Sequence, residues 1–561
     1  MSKSSKIEIL SQDRRFIFGL FAVEVVALAL MRLPASLNFF GFAPFDAGNN
    51  LTAEYFVRHG YRAAIDFSYP YGLLGLLAGH VWFNLAGLTP WSYEVANWLM
   101  SLFIVWGLVR VVVALRAGLA GVLLFALTMP ILVFTQYLTF SHALEAAFII
   151  HALAAQAARN RSQALVWATL AVLAKPAMGL FYGLFLIGFV VLDMYRADEL
   201  GWGSFVKVLA PASAVAVSGS LILAGVFGIR SLAATILPFS ASREYGALHF
   251  GFMHAGESFW WPQQRISLGY YVQSVAGFYV LATLLLLAGA LWACAFRIRS
   301  NLEVLVTCAL LQVVFIAILW GNQFSWVYYS YLPVIGLAAA LRMDRIWKYA
   351  ILACALLMPA AKFTRLLIVH LEPATAVSGG GQHDGVTANL QAISQSSLSL
   401  SAWFDSKREP AMAGLWATPD QRAQWLKVLA LVRGKPAAIL ETDGCVPLFY
   451  PAVFMPPVSL FLIAGLTLPS EVSRTLDQVN RADTLVFPTG LRLLRELPQL
   501  GARVNADFQP IFRGNDVIVF GRKSAMVPSG EPKSAPGTGH SAPIANGQKP
   551  GRYWLGSQAA S

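Results

Sequence analysis

The sequence predicts an all-α polytopic membrane protein of about 11 transmembrane helices, with a small α/β extracytoplasmic domain at its C-terminal end. Three observations predict it. Hydrophobic residues fill 57% of 561 positions and charged residues only 12%, and the mean hydropathy is +0.59, more apolar surface than a water-soluble fold can hide. The apolar residues gather in runs long enough to cross a bilayer. The Lys and Arg residues sit mostly in short clusters between those runs, so the formal charge of +12 reads as cytoplasmic anchoring and not as a nucleic-acid surface. Cys294, Cys308 and Cys354 lie in or beside apolar runs and only Cys445 in the polar C-terminal part, so no disulfide framework is implied.

In chain order, MSKSSKIEILSQDRR is a basic, polar start, and residues 16–37 form the first apolar run. It carries Glu24 and Arg32 and lacks a small-x-small cleavage site, which predicts an uncleaved anchor with its N-terminus inside. Further spans are expected at 91–115, 117–138, 142–158, 162–174, 176–194, 205–227, 268–296, 303–320, 327–341 and 346–369. The apolar stretch 71–88 is the ambiguous one. Keeping Arg110/Arg116, Arg159/Arg161, Arg196/Lys207, Arg297/Arg299 and Arg342/Arg345/Lys348 on the cytoplasmic side works only if it does not cross. It then belongs to a long first external loop, 38–90, as a surface or re-entrant helix carrying His80 and Asn84. Residues 1–369 form the membrane module, with a later external loop at 228–267. In AKPAMG, 174–179, Pro176 predicts a tight reversal near the outer surface with Lys175 at the turn. Residues 370–523 read as the α/β domain, with a helix near 418–433 and strand-like runs AAILET, TLVFP and DVIVFG. The Pro/Gly/Ser-rich stretch 524–561 reads as a disordered tail.

The polar stretch PFDAGNNLTAEYFVRHGYRAAIDFSYPYG, Pro44 to Gly72, stands out against this background. Asp46 follows the first span directly, and Glu54, Arg58, His59, Arg62 and Asp66 follow it among aromatic residues. A carboxylate at a partly dry interface can have its pKa raised towards the working range and act as a general base. The competing reading of Asp46 is an N-cap for a helix beginning near Ala47. His142 and Glu145, three positions apart on one helix face, can form a functional pair in a cavity or act as interhelical glue.

An acidic residue just after the first span, then the phrase GYRAAIDFSYPYG, then an apolar stretch ending in AGLTP, resembles the first external loop of GT-C superfamily glycosyltransferases, among them aminoarabinose and protein-mannosyl transferases. LAKPAMGL, 173–180, is similar to a lysine-containing turn that recurs there. The resemblance covers residues 10–200 best and the rest by layout. It implies an inverting glycosyltransferase with a polyprenyl-phosphate sugar donor and an extracytoplasmic lipid, polysaccharide or protein acceptor, in a bacterial inner membrane. It gives Asp46 the general base role. Relatives often carry a second acid where this chain has His142 and Glu145, which leaves that role open between the two.

A departing lipid phosphate calls for cations, for which Lys175 is the first candidate and Arg58, Arg62, Arg243 and Arg365 are reserves; each can also be an interfacial snorkel. Glu54, Asp66, His142, Glu145, His249, His254, Glu257 and Trp260 are the candidate substrate-binding residues. The spacing of His249, His254 and Glu257 admits a divalent metal, which part of the superfamily uses, but histidine also binds sugars and no metal is assigned. Two other classes compete. A transporter or flippase would use Glu24, His151 and Lys175 along a path, but the chain lacks clear repeat symmetry. An O-antigen polymerase or ligase would concentrate arginines in a later loop.

Overall fold

The computed structural model describes residues 13–32, 45–126 apart from 70, 140–236, and most of 419–523. Ten helices account for the first part: α1 (Arg14–Arg32), α2 (Phe45–Arg58), α3 (Leu73–Ala86), α4 (Pro90–Leu115), α5 (Gly118–Ala126), α6 (Phe140–Ala157), α7 (Arg161–Ala174), α8 (Pro176–Arg196), α9 (Trp202–Phe227) and α10 (Ile229–Ile236). The bounds of α1, α4, α6, α7, α8 and α9 follow the expected apolar runs. The expected spans beyond residue 267, the continuation of 117–138 and the 524–561 tail lie outside the described residues.

Local chemistry sets the helix ends. Thr89 caps α4 by accepting from the Ser92 backbone N–H, with Pro90 in the first position, where its missing N–H costs nothing. Asn160 caps α7 in the same way through Gln163. A single residue, Lys175, joins α7 to α8; it is extended, as the residue before a proline tends to be, and Pro176 opens α8. A Cβ on Gly179 would stand 2.5 Å from backbone atoms of Ala171 and Val172, so glycine lets α8 turn back tightly on α7.

α4 and α9 are each 26 residues long and apolar enough to cross a membrane. On α9, Val217, Leu221 and Ile222 are 61%, 68% and 56% exposed. An apolar face of that kind is suited to lipid. The core between helices is built from α1, α4, α6, α7 and α8, with Phe21, Val105, Val109, Ile149, Ile150, Ala168, Ala171 and Leu186 all buried. α7 and α8 are also tied by Arg161 at the start of α7, which forms close ion pairs with Asp193 of α8 and Glu199 just after it.

α3 is only 14 residues long, about 21 Å at the helical rise and short of the roughly 30 Å hydrocarbon layer. Both its ends lie at one pole of the bundle. Before its first residue, the Gly72 N–H donates to the Ala174 carbonyl at 3.0 Å. In its last turns Trp82 donates to the Ser92 carbonyl at 2.6 Å and Phe83 stacks on Phe140 at 5.7 Å. The starts of α4, α6 and α8 and the end of α7 meet there.

The described residues after 418 hold α11 (Pro419–Val432), β1 (Ala437–Ile439), α12 (Pro469–Arg481), β2 (Thr484–Phe487), α13 (Pro498–Asp507), β3 (Phe508–Arg513) and β4 (Ile518–Arg522). The sheet order is β1-β2-β4-β3, with β1 parallel to β2 and the other pairs antiparallel. Strand alternation divides the apolar residues between two faces. Ala437, Ile439, Val486 and Val519 pack with Trp425, Val428 and Val432 of α11 in a core that also takes in Leu51, Phe83, Tyr93 and Phe140 of the helical part. Ala438, Leu485, Phe487 and Phe520 pack with Val479, Leu500 and Val504 of α12 and α13.

With the four native cysteines replaced by serine, cysteines placed on either side of α3, as His59→Cys and Leu88→Cys, are expected to react with a membrane-impermeant maleimide from the same side. Labelling from opposite sides would make α3 a crossing helix.

Candidate active site

The stretch 59–72 folds onto its own aromatic residues. Phe67, Tyr69 and Tyr71 recur at every second position, and a file of rings runs from Phe56 to Phe67 (4.9 Å), Tyr69 (6.2 Å), Tyr71 (5.5 Å) and His142 (5.2 Å), mostly edge to face. These aromatics share a core with Leu173, Leu223, Phe227 and Leu232, so the ends of α7, α9 and α10 support the loop.

Glycine decides how closely the loop can approach. A Cβ on Gly72 would lie 2.3 Å from the Leu173 carbonyl oxygen and 2.6 Å from the Ala174 carbonyl carbon. On Gly75 it would lie 2.1 Å from Ser141 Oγ and 2.8 Å from Ser141 Cα. The YPYG phrase therefore packs backbone to backbone against the LAKP turn, and α3 against the start of α6.

Under this contact lie the buried charges. Lys175 Nζ is 3.9 Å from Glu145 Oε2, with both side chains about 5% exposed or less. His142 is buried beside them under the Tyr71 ring. Glu145 thus faces a cation across the gap between α6 and α7, which spacing alone could not supply.

A second group lies between α2 and α3. Glu54, with a side chain 1% exposed, accepts from Arg58 Nε at 2.6 Å and lies 3.0–3.1 Å from His80 Nδ1. Arg58 Nη2 donates to Asn84 Oδ1 at 3.2 Å, and Asn84 Nδ2 lies 3.2 Å from His80 Nε2. A small cleft beside them is lined by Asn50, Glu54, Tyr69, His80 and Phe140, with Gly75 and Gly79. Asp46 lies in the first turn of α2. The helix starts at Phe45, two residues ahead of the Ala47 start that an Asp46 cap requires.

Arg62 donates through Nε and Nη2 to the two oxygens of Asp66 at 2.9 and 3.0 Å, and its backbone N–H bonds the same carboxylate at 2.8 Å. This fork closes the 62–66 turn and holds the Asp66 carboxyl below its ordinary value, chiefly through the Arg62 hydrogen bonds. Arg474 of α12 makes a close contact with the Asp66 carbonyl, joining the sheet-bearing part to the same turn.

The structure therefore brings together Glu54, Arg58, Arg62, Asp66, His142, Glu145 and Lys175 around one pole. Arg243, Arg365, His249, His254, Glu257 and Trp260 lie outside the described residues, as does the side chain of Asp46. Among the described residues no three His, Cys, Asp or Glu side chains gather as metal ligands. His80, Asn84 and Tyr69 were not singled out as site residues. The signal for the first two was present: Glu54/Arg58 and His80/Asn84 are each four apart, which places each pair on one helix face.

No family model and no curated protein matches the chain. Solved structures similar to it include the crystal structure of ArnT from Cupriavidus metallidurans in the apo state, at 13% identity and a TM-score of 0.37, covering 89% of this chain and 97% of that one. The same protein bound to undecaprenyl phosphate matches at 13% identity, a TM-score of 0.35 and the same coverages. The likeness is loose.

Gly72→Ala should lower the thermal unfolding temperature and open the 59–72 loop to limited proteolysis, because its methyl meets backbone and not a movable side chain; overpacking of this kind costs about 1–3 kcal/mol. Gly188→Ala, whose Cβ meets nothing within 4 Å, is the control and should show neither effect.

Because the folded value of Asp66 is depressed, its contact with Arg62 stabilises the turn above the unfolded carboxylate value of about 3.9 and is lost as the pH falls through the folded value. The protease protection that separates wild type from Asp66→Asn at pH 7 should therefore shrink as the pH is lowered below about 4. A gap that stays constant with acidification would rule out this ion pair as its source.

Proposed function

We propose that the chain is an inverting glycosyltransferase that moves a sugar from a polyprenyl-phosphate donor to a lipid, polysaccharide or protein acceptor on the outer face of a bacterial inner membrane. One observation carries the reading most. Two of the phrases that carry the superfamily resemblance, GYRAAIDFSYPYG at 60–72 and LAKPAMGL at 173–180, are about a hundred positions apart in sequence and bond to each other through Gly72 N and Ala174 O at 3.0 Å. Two segments that resemble a loop and a turn of one enzyme class are thus in direct contact.

In this reading Asp46, in the first turn of α2, is the general base on the acceptor hydroxyl. Lys175 supplies positive charge near the departing phosphate. Its ammonium faces Glu145 beneath the loop, so donor use requires the Tyr71–Gly72 segment to move aside or the charge to act from behind it. A metal, if the 249–257 residues hold one, would add Lewis-acid chemistry to phosphate departure.

The transporter reading draws on polar groups such as His151 and Lys175 inside the bundle. His151 Nδ1 lies 2.9 Å from Arg110 Nη1, and Arg110 in turn donates to Gln163 at 2.7 Å. This is a satisfied interhelical network joining α4, α6 and α7, which favours a fixed bundle.

Asp46→Asn should abolish sugar transfer in reconstituted membranes while leaving folding and donor-lipid binding close to wild type. Turnover within a few-fold of wild type would remove Asp46 from the base role. Which sugar and acceptor are used can be read from the lipids and glycans that change in a strain lacking the gene.

A further inference from the structure

Four side chains of the first loop close into a ring that the general-base and phosphate roles leave unused. On α2, Arg58 Nε donates to Glu54; across to α3, Glu54 meets His80 Nδ1; along α3, His80 Nε2 meets Asn84 Nδ2; and Asn84 Oδ1 accepts from Arg58 Nη2. The ring fixes its own protons. A carboxylate only accepts, so Nδ1 of His80 carries hydrogen; Asn84 Oδ1 accepts from Arg58, so its nitrogen points at His80 and Nε2 is left with a lone pair.

The ring also borders the cleft. Glu54 is fully buried, whereas His80 is about one quarter exposed and lines that cleft with Asn50, Tyr69 and Phe140. Its edge is held against Phe227 at 6.5 Å. A buried carboxylate that locks the tautomer and orientation of a partly exposed histidine is how a neutral imidazole is made into a fixed hydrogen-bond acceptor. Among the described residues the group donating to that acceptor is the exposed amide of Asn84, which a ligand can displace at small cost. The cleft is small, with room for a hydroxyl and not for a whole sugar ring, and its aromatic walls suit the apolar edge of a sugar.

We propose that His80 is a positioning residue that reads one sugar hydroxyl of the substrate, accepting its hydrogen bond at Nε2 in place of Asn84, with Glu54 and Arg58 fixing the tautomer. This rests on the transferase reading above.

The test uses the full-length protein in nanodiscs, with a panel of polyprenyl-phosphate monosaccharides as donors and a native-membrane lipid extract as acceptor, and measures kcat and KM for each. His80→Phe keeps a flat ring and removes the acceptor; it should raise the KM of one substrate about tenfold, the size of one lost hydrogen bond, with a far smaller effect on kcat. His80→Gln, which returns an acceptor oxygen, should recover part of that loss. Asn84→Ala removes the competing donor and should lower the same KM. Movement of the donor KM places the hydroxyl on the donor sugar, and movement of the acceptor KM places it on the acceptor.

Opposite shifts in the two variants are what a structural brace cannot give. If KM rises in both, or moves in neither, the inference is overturned, and Asn84→Ala alone decides if His80→Phe does not fold. With Asp46→Asn inactive and His80→Phe normal, the transferase reading stands and this one falls. A wild-type protein inert towards every donor would overturn both.

Discussion

The architecture of the site depends on how closely residue 72 approaches the junction of α7 and α8. The Gly72 N–H bonds the Ala174 carbonyl, and the space a side chain would need is filled by the backbone of Leu173 and Ala174. That contact is possible because Pro176 and an extended Lys175 turn the chain within a single residue, leaving the last carbonyls of α7 open to an outside donor. From there the rest follows in order. Tyr71 lies over His142, Tyr69 and Phe67 continue the file of rings, and Gly75 brings α3 onto Ser141 at the start of α6.

Charge is placed in two ways around this contact. Glu145 and Lys175 are buried beneath it, where removing either would leave an uncompensated charge away from water. Glu54, Arg58, Arg62 and Asp66 are partnered within the loop, and their exposure rises towards its outer edge. The buried pair holds helices together at the pole, and the outer groups shape the loop that covers it. The contact of Arg474 with Asp66, together with the core shared by α11 and α3, extends the same assembly to the sheet.

Much of this was legible in the sequence, for identifiable reasons. Composition and the length of the apolar runs imply a helical membrane protein, because the hydrophobic effect responds to totals and to length. Charge bias predicts that 71–88 does not cross, and the 14 residues of α3 are short of a bilayer's thickness. The reversal at Pro176 and the strands at AAILET, TLVFP and DVIVFG follow from local stereochemistry and alternation. The aromatic file was half visible in the spacing of Phe67, Tyr69 and Tyr71.

What the sequence by itself determined is the membrane setting, the polar first loop, the turn carrying Lys175 and the helix faces on which Glu54/Arg58, His80/Asn84 and His142/Glu145 lie. These depend on hydropathy, backbone geometry and the helical repeat, which act over a few residues. Only the tertiary structure decided the partners: Glu145 with Lys175, Glu54 with His80, Gly72 with Ala174. The pairs are 30, 26 and 102 positions apart, and no periodicity within a helix specifies which face of another helix it will meet. That choice falls to the fit of glycines against backbone and to the need of each buried charge for a partner of opposite sign, conditions that exist only once the helices have packed.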